Sequence, residues 1–96
     1  MQREINGEKY NFGMTRSGIR AAERAGLNAS TLGDKPMEAL YLLWYASLYN
    51  SHPMVVKKAD NLLDAYLDED SCPETIEDIM GALTEEYLAV FKLATE

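Results

Sequence analysis

The residue types that most often carry covalent and acid-base chemistry are scarce in this chain. His52 and Cys72 are its sole imidazole and sole thiol, so a nucleophile–base pair would have to be those two. Each stands next to a proline, Pro53 and Pro73, where a helix start explains it, and neither lies in a nucleophile motif. Asp68 and Asp70 have the one-and-three spacing of a calcium-binding EF-hand loop. The pattern then breaks, because Pro73 falls at position six where glycine is required and Ile79 at position twelve where glutamate is required. The segment therefore reads as a solvated acidic loop. The adjacent pairs Glu77-Asp78 and Glu85-Glu86 project from the polar side of a helix and serve solubility rather than proton transfer. The six glycines are dispersed, so no phosphate-cradling loop forms. One cysteine permits neither an intramolecular disulfide nor a thiolate metal cluster. These residues predict a non-enzymatic protein with no catalytic, cofactor or metal site.

Arg16, Arg20 and Arg24 stand four apart and share one side of a helix. Their setting is an uneven charge distribution. The chain carries a net charge of -7, yet residues 1–35 hold six Lys/Arg against four Asp/Glu, while residues 36–96 hold three against twelve. An acidic surface over most of the chain argues against nucleic-acid or anionic-membrane binding. The same split lets the basic end of one copy meet the acidic end of another. Arg16, Arg20 and Arg24 are thus candidate self-association residues in a homo-oligomer, and an alternative reading has them contact nucleic-acid phosphates in a small regulator.

The elements that must position these residues can be read along the chain. Ninety-six residues with 47% hydrophobic and 26% charged content make one folded domain, 1–96, with a hairpin over 1–14 and helices over 15–96. The N-terminal residues lack the apolar core of a signal peptide, and the lone cysteine suits a reducing cytoplasm. Asn6-Gly7 between Gln2–Ile5 and Glu8–Phe12 predicts a type I′ turn, with Tyr10, Phe12 and Met14 on one face. Thr15 caps a first helix that ends at Gly26. Residues 28–35 read as a loop with Asp34 as a cap, and Pro36 opens a central apolar helix over 36–50. A third helix starts near Pro53, capped by Ser51 or His52, with Val55, Ala59, Leu62, Leu63, Tyr66 and Leu67 inward. A last helix starts after Ser71 or Cys72, with Ile76, Ile79, Met80, Leu83, Tyr87, Val90, Phe91 and Ala94 inward. The fold class is mainly α: a small N-terminal β-hairpin, then about four helices packed around the central one.

That central helix is the most distinctive element. From Ala39 to Tyr49, ten of eleven residues are apolar or aromatic, too short a run to span a bilayer, which needs roughly 20, yet apolar nearly all round. Stepping 100° per residue places Met37, Leu40, Tyr41, Trp44 and Leu48 on a core face. Ala39, Leu43, Ala46, Ser47 and Asn50 form an opposite face small enough to admit another helix. Glu38, Leu42, Tyr45 and Tyr49 form a third, mixed face. Amphipathic aromatics suit an interface, so Leu42, Tyr45 and Tyr49 are the candidate partner-binding residues.

The order of features adds a resemblance. The Asn6-Gly7 hairpin ending in Tyr10-Asn11-Phe12, the Arg/Glu-rich helix, Pro36 followed by Leu40-Tyr41-Leu42-Leu43-Trp44-Tyr45, then His52-Pro53 and two amphipathic helices together look like the tail assembly chaperones of long-tailed bacteriophages and related prophages. The resemblance spans nearly the whole chain. It implies a factor without enzymatic activity that binds the tape measure protein, helps recruit tail tube protein subunits, works in the host bacterial cytoplasm and is absent from the mature virion. Such proteins often occur in short and frameshift-extended forms, and this chain would be a short one. A structural tail component retained in the virion would use the same surfaces. A tape measure is long and helical, so its chaperone needs an apolar or aromatic surface that accepts helices.

Overall fold

The computed structural model describes residues 2–54, 56–69 and 72–95, and the side chains of all of these except Ala29 and 91–95. It is mainly helical, with an antiparallel hairpin of β1 (Gln2–Ile5) and β2 (Glu8–Asn11) leading into α1 (Arg16–Arg24), α2 (Ala29–Asp34), α3 (Pro36–Leu48), a 3-10 turn at Val56–Lys58, α4 (Ala59–Asp68) and α5 (Ile76–Thr95).

Asn6 and Gly7 take φ of 52° and 82°, the left-handed pair that a type I′ turn demands. Their turn sets the register Ile5 opposite Glu8 and Arg3 opposite Tyr10. Period two then puts Arg3 and Ile5 on the same buried face as Tyr10. A two-strand ribbon has too little surface to stand alone, and three backbone donors in and after this one fasten it to α3 and to the segments on either side of α4. The Gly13 N–H donates to the Ser47 carbonyl at 2.9 Å, the Asn11 N–H to His52 Nε2 at 2.8 Å, and the Asn6 N–H to the Glu69 carboxylate at 3.1 Å.

Thr15 caps α1 by accepting the Gly18 N–H at 3.0 Å. At the other end Gly26 (φ 121°) lets its own N–H reach the Glu23 carbonyl and the Leu27 N–H reach the Ala22 carbonyl, a Schellman closure sealed by burial of Leu27 against Ala22. Residues 28–35, read from sequence as a loop, instead hold α2. Asn28 caps it by accepting the Thr31 N–H at 2.9 Å, and Asp34 ends α2 rather than capping α3. Pro36 does open α3, which needs no N–H there.

Two later starts also differ from the sequence reading. Ser51 and His52 cap no helix: the chain passes through a 3-10 turn and α4 begins only at Ala59; Val55 lies outside the described residues. The last helix is capped by Thr75 and not by Cys72, because the Asp78 N–H donates to Thr75 Oγ1 at 3.1 Å and the Thr75 N–H donates back to the Asp78 carboxylate at 3.2 Å. This reciprocal box fixes the start of α5 at Ile76. Ser71 and Asp70, and the side chains of Phe91 and Ala94, lie outside the described residues.

The core gathers around α3. Leu40, Trp44 and Leu48 are buried as the wheel predicts, and so are Ala39, Leu43, Ala46 and Ser47 of the small face, where α1 crosses closely. A Cβ built on Gly18 of α1 would stand 2.2 Å from the Ala46 carbonyl oxygen, so only glycine permits this separation. Two residues assigned to the core face are less covered than expected. Met37 is 49% exposed, and Tyr41 is half-buried with its hydroxyl donating to Asp64. Met37, in the first turn, lines a groove with Ile76 and Met80, and the Tyr41 hydroxyl reaches the exposed Asp64 of α4. Ile76, expected inward on α5, is likewise 44% exposed.

Candidate partner-binding surface

Leu42, Tyr45 and Tyr49 form one row along α3 and are half-buried. Leu42 and Tyr45 rest against the core from outside. The Tyr45 and Tyr49 rings lie 5.9 Å apart and tilted 51°, a spacing at which aromatic edges and faces attract. Arg16, Arg20 and Arg24 are exposed along α1, and none forms an ion pair among the described residues. Because α1 crosses α3 at Gly18, the two rows meet: Ser17, Arg20, Arg24 and Tyr49 line a shallow depression of about 150 Å³. Arg16, Leu42 and Tyr45 are not part of that lining. The result is a strip with aromatic body and cationic edge, and Tyr and Arg are the residue types that dominate binding energy at interfaces.

His52 and Cys72 are each engaged separately. His52 accepts the Asn11 N–H through Nε2, which places any neutral-ring proton on Nδ1, and its ring stands edge-on to Tyr10 at 5.2 Å. The Cys72 thiol donates to the Glu74 carbonyl at 3.2 Å. Glu69, in the acidic loop, serves the hairpin turn.

Two features escaped sequence reasoning. One is a polar clamp under the hairpin. The Arg3 guanidinium, only 2% exposed, donates from Nε to Glu74 Oε1 at 2.7 Å and from Nη2 to Oε2 at 3.3 Å, and the Tyr66 hydroxyl donates to Oε1 at 2.7 Å. Arg3 also lies over the Phe12 and Trp44 rings, 4.7 and 5.4 Å from their centroids. Burial alone would raise the Glu74 pKa, but the hydrogen bonds from Arg3 and Tyr66 and the Arg3 charge outweigh it and hold the carboxyl below its usual range. Burial, then the bond to Glu74, pushes the Tyr66 hydroxyl up. With both oxygens hydrogen-bonded, Glu74 is the counter-ion of the buried Arg3. The sequence does contain one signal, since Arg3 and Ile5 alternate on the hairpin face that must dock.

The second is a groove of about 580 Å³ between the first turns of α3 and the first half of α5. Met37, Leu40, Ile76 and Met80 supply its apolar surface, and the exposed Glu77 and Glu85 stand on its border. Among the described residues no helix is long and apolar enough to cross a membrane.

Residues 1–93 match the model of a family described as a domain of unknown function, DUF5055. The chain belongs to the DUF5055 family. No curated protein and no solved structure matches this DUF5055 chain.

Proposed function

We propose that this protein is a non-enzymatic tail assembly chaperone that holds the helical tape measure protein and helps bring tail tube subunits to it, acting in the host cytoplasm and leaving before the virion is complete. The observation that carries the reading is the strip on α3 and α1, where the half-buried row Leu42, Tyr45 and Tyr49 meets Arg20 and Arg24 at Tyr49. Such a strip suits a helix with an apolar seam and acidic flanks, the seam lying on the tyrosines and the flank on the arginines. The feature order that resembles tail assembly chaperones supplies the identity of the client.

The test is co-purification with a phage tape measure protein. Tyr45→Ala combined with Tyr49→Asp is expected to abolish capture while the circular dichroism spectrum and melting temperature stay close to those of the parent. Capture by a folded double variant overturns the reading. Unfolding of the variant reassigns both tyrosines to the core and removes the surface on which the proposal stands.

The three exposed arginines, without an ion pair among the described residues, favour one other reading, a regulator that touches nucleic acid along α1. It requires DNA affinity that falls steeply with salt, and no binding at low salt eliminates it.

A further inference from the structure

Apart from the strip, large apolar side chains are exposed at Leu88 of α5 and in two places toward the ends of α3. Near its C-terminal end, on the turn that follows His52, Met54 is 91% exposed. Beside it in sequence are Lys57 and Lys58, both exposed, two of only three basic residues in the acidic stretch 36–96. Near the N-terminal end lies the groove of Met37, Leu40, Ile76 and Met80, bordered by Glu77 and Glu85. Met54 is 91% exposed and is not among the residues that line the groove, so the turn of one molecule does not fill its own groove.

We propose that the groove receives the Met54 turn of a second copy of this chain. An exposed methionine, with two exposed lysines three and four residues further along the chain, meets a cleft floored by methionine and isoleucine with anions on its border. The two match in polarity and in charge, and thioether side chains adapt to an irregular cleft. The joined patches differ, so the contact is heterologous, and repetition makes a ring or a filament instead of a two-fold dimer. One side chain and two ion pairs form a small interface, so the association is weak and reversible. This assigns self-association to Met54, Lys57 and Lys58 rather than to Arg16, Arg20 and Arg24. It also leaves the tyrosine strip open, so it stands or falls without the client reading.

Sedimentation velocity on the full chain over a range of concentrations tests it with two variants. Met54→Asp removes the projection and leaves the groove; Met80→Arg blocks the groove and leaves the projection. Each alone is expected to weaken association at least about tenfold, with circular dichroism confirming the fold. Mixed together they are expected to form one-to-one dimers that grow no further, because each mixture has one working projection facing one working groove. Lys57→Glu with Lys58→Glu weakens association, and adding Glu77→Lys with Glu85→Lys restores it. A parent protein that is monomeric at every concentration overturns the proposal. So does association unchanged by Met54→Asp, or a mixture that stays monomeric. Loss of association in Arg20→Glu with Arg24→Glu while Met54→Asp still assembles returns the interface to α1.

Discussion

The two flanks of α3 were built from the same apolar helix and finish differently. On one flank Ala46 and Ser47 let α1 approach until Gly18 touches backbone. On the other, Met37 faces Ile76 and Met80 across a groove. Small side chains permit contact between backbones and leave no space, whereas long flexible ones hold helices apart at their ends. Side-chain size therefore separates the closed flank of this helix from the open one, which hydrophobicity alone does not.

The strongest challenge to that contrast is Gly18→Val on the closed flank. Its Cβ has nowhere to go, because the obstacle is the Ala46 carbonyl and not a movable side chain. A loss of about 3 kcal/mol or more is expected, seen as a melting temperature lower by roughly 15 °C. A variant that melts within a few degrees of the parent would show that α1 can retreat, and the closed flank would not be closed.

Next in size is Glu74→Gln, which leaves the Arg3 charge buried without a counter-ion and is expected to cost roughly 3 kcal/mol in a urea titration. The acid dependence follows from the depressed Glu74 pKa. The pair contributes stability above the unfolded carboxyl value of about 4.3, and that contribution is lost as the pH falls through the lower folded value. Between about pH 5 and about pH 3 the parent should therefore lose more stability than Glu74→Gln does. Equal losses would mean that the clamp is not what secures the hairpin.

Met37→Ala, on the open flank, should change stability by no more than about 0.5 kcal/mol, since half of the side chain already meets solvent. A cost near that of Gly18→Val would erase the distinction between flanks. The smallest effect concerns Tyr41, whose hydroxyl is pushed up to about 12 by its hydrogen bond to Asp64 and then by burial. In an ultraviolet titration Tyr41→Phe should remove one late-ionising tyrosine. The raised value means that the folded state holds this proton, so the contribution is intact below about pH 10 and is lost as the pH rises through the folded value.

Much of the fold was legible in residue types whose effects are local. Asn6-Gly7 forces its turn, Thr15 and Gly26 bound α1, and Pro36 opens α3, all through backbone geometry within a few residues. Failures arose where a local signal had a competitor. The turn-forming residues of 28–35 hide Asn28 as a helix cap, and Pro73 draws attention away from the Thr75-Asp78 box two residues later. Pro53 suggests an early start for α4, but His52 is taken by the hairpin instead. The candidate site was partly legible. Composition found the Leu42, Tyr45 and Tyr49 row and the Arg16, Arg20 and Arg24 row, but their meeting depends on how α1 crosses α3. The groove depends on which neighbour leaves Met37 uncovered, and a helical wheel carries no information about that.

Trp44 sits where four parts of the chain converge, with Phe12 on one side, Tyr66 of α4 at 5.8 Å on another, and Arg3 of β1 over its ring. As the sole indole it is a native optical sensor for the hairpin. Detaching the ribbon removes both the aromatic neighbour and the cation that cover the ring, so emission should shift to the red before the helices melt whenever hairpin release comes first. A single coincident transition in fluorescence and circular dichroism would instead mark ribbon and helices as one cooperative unit.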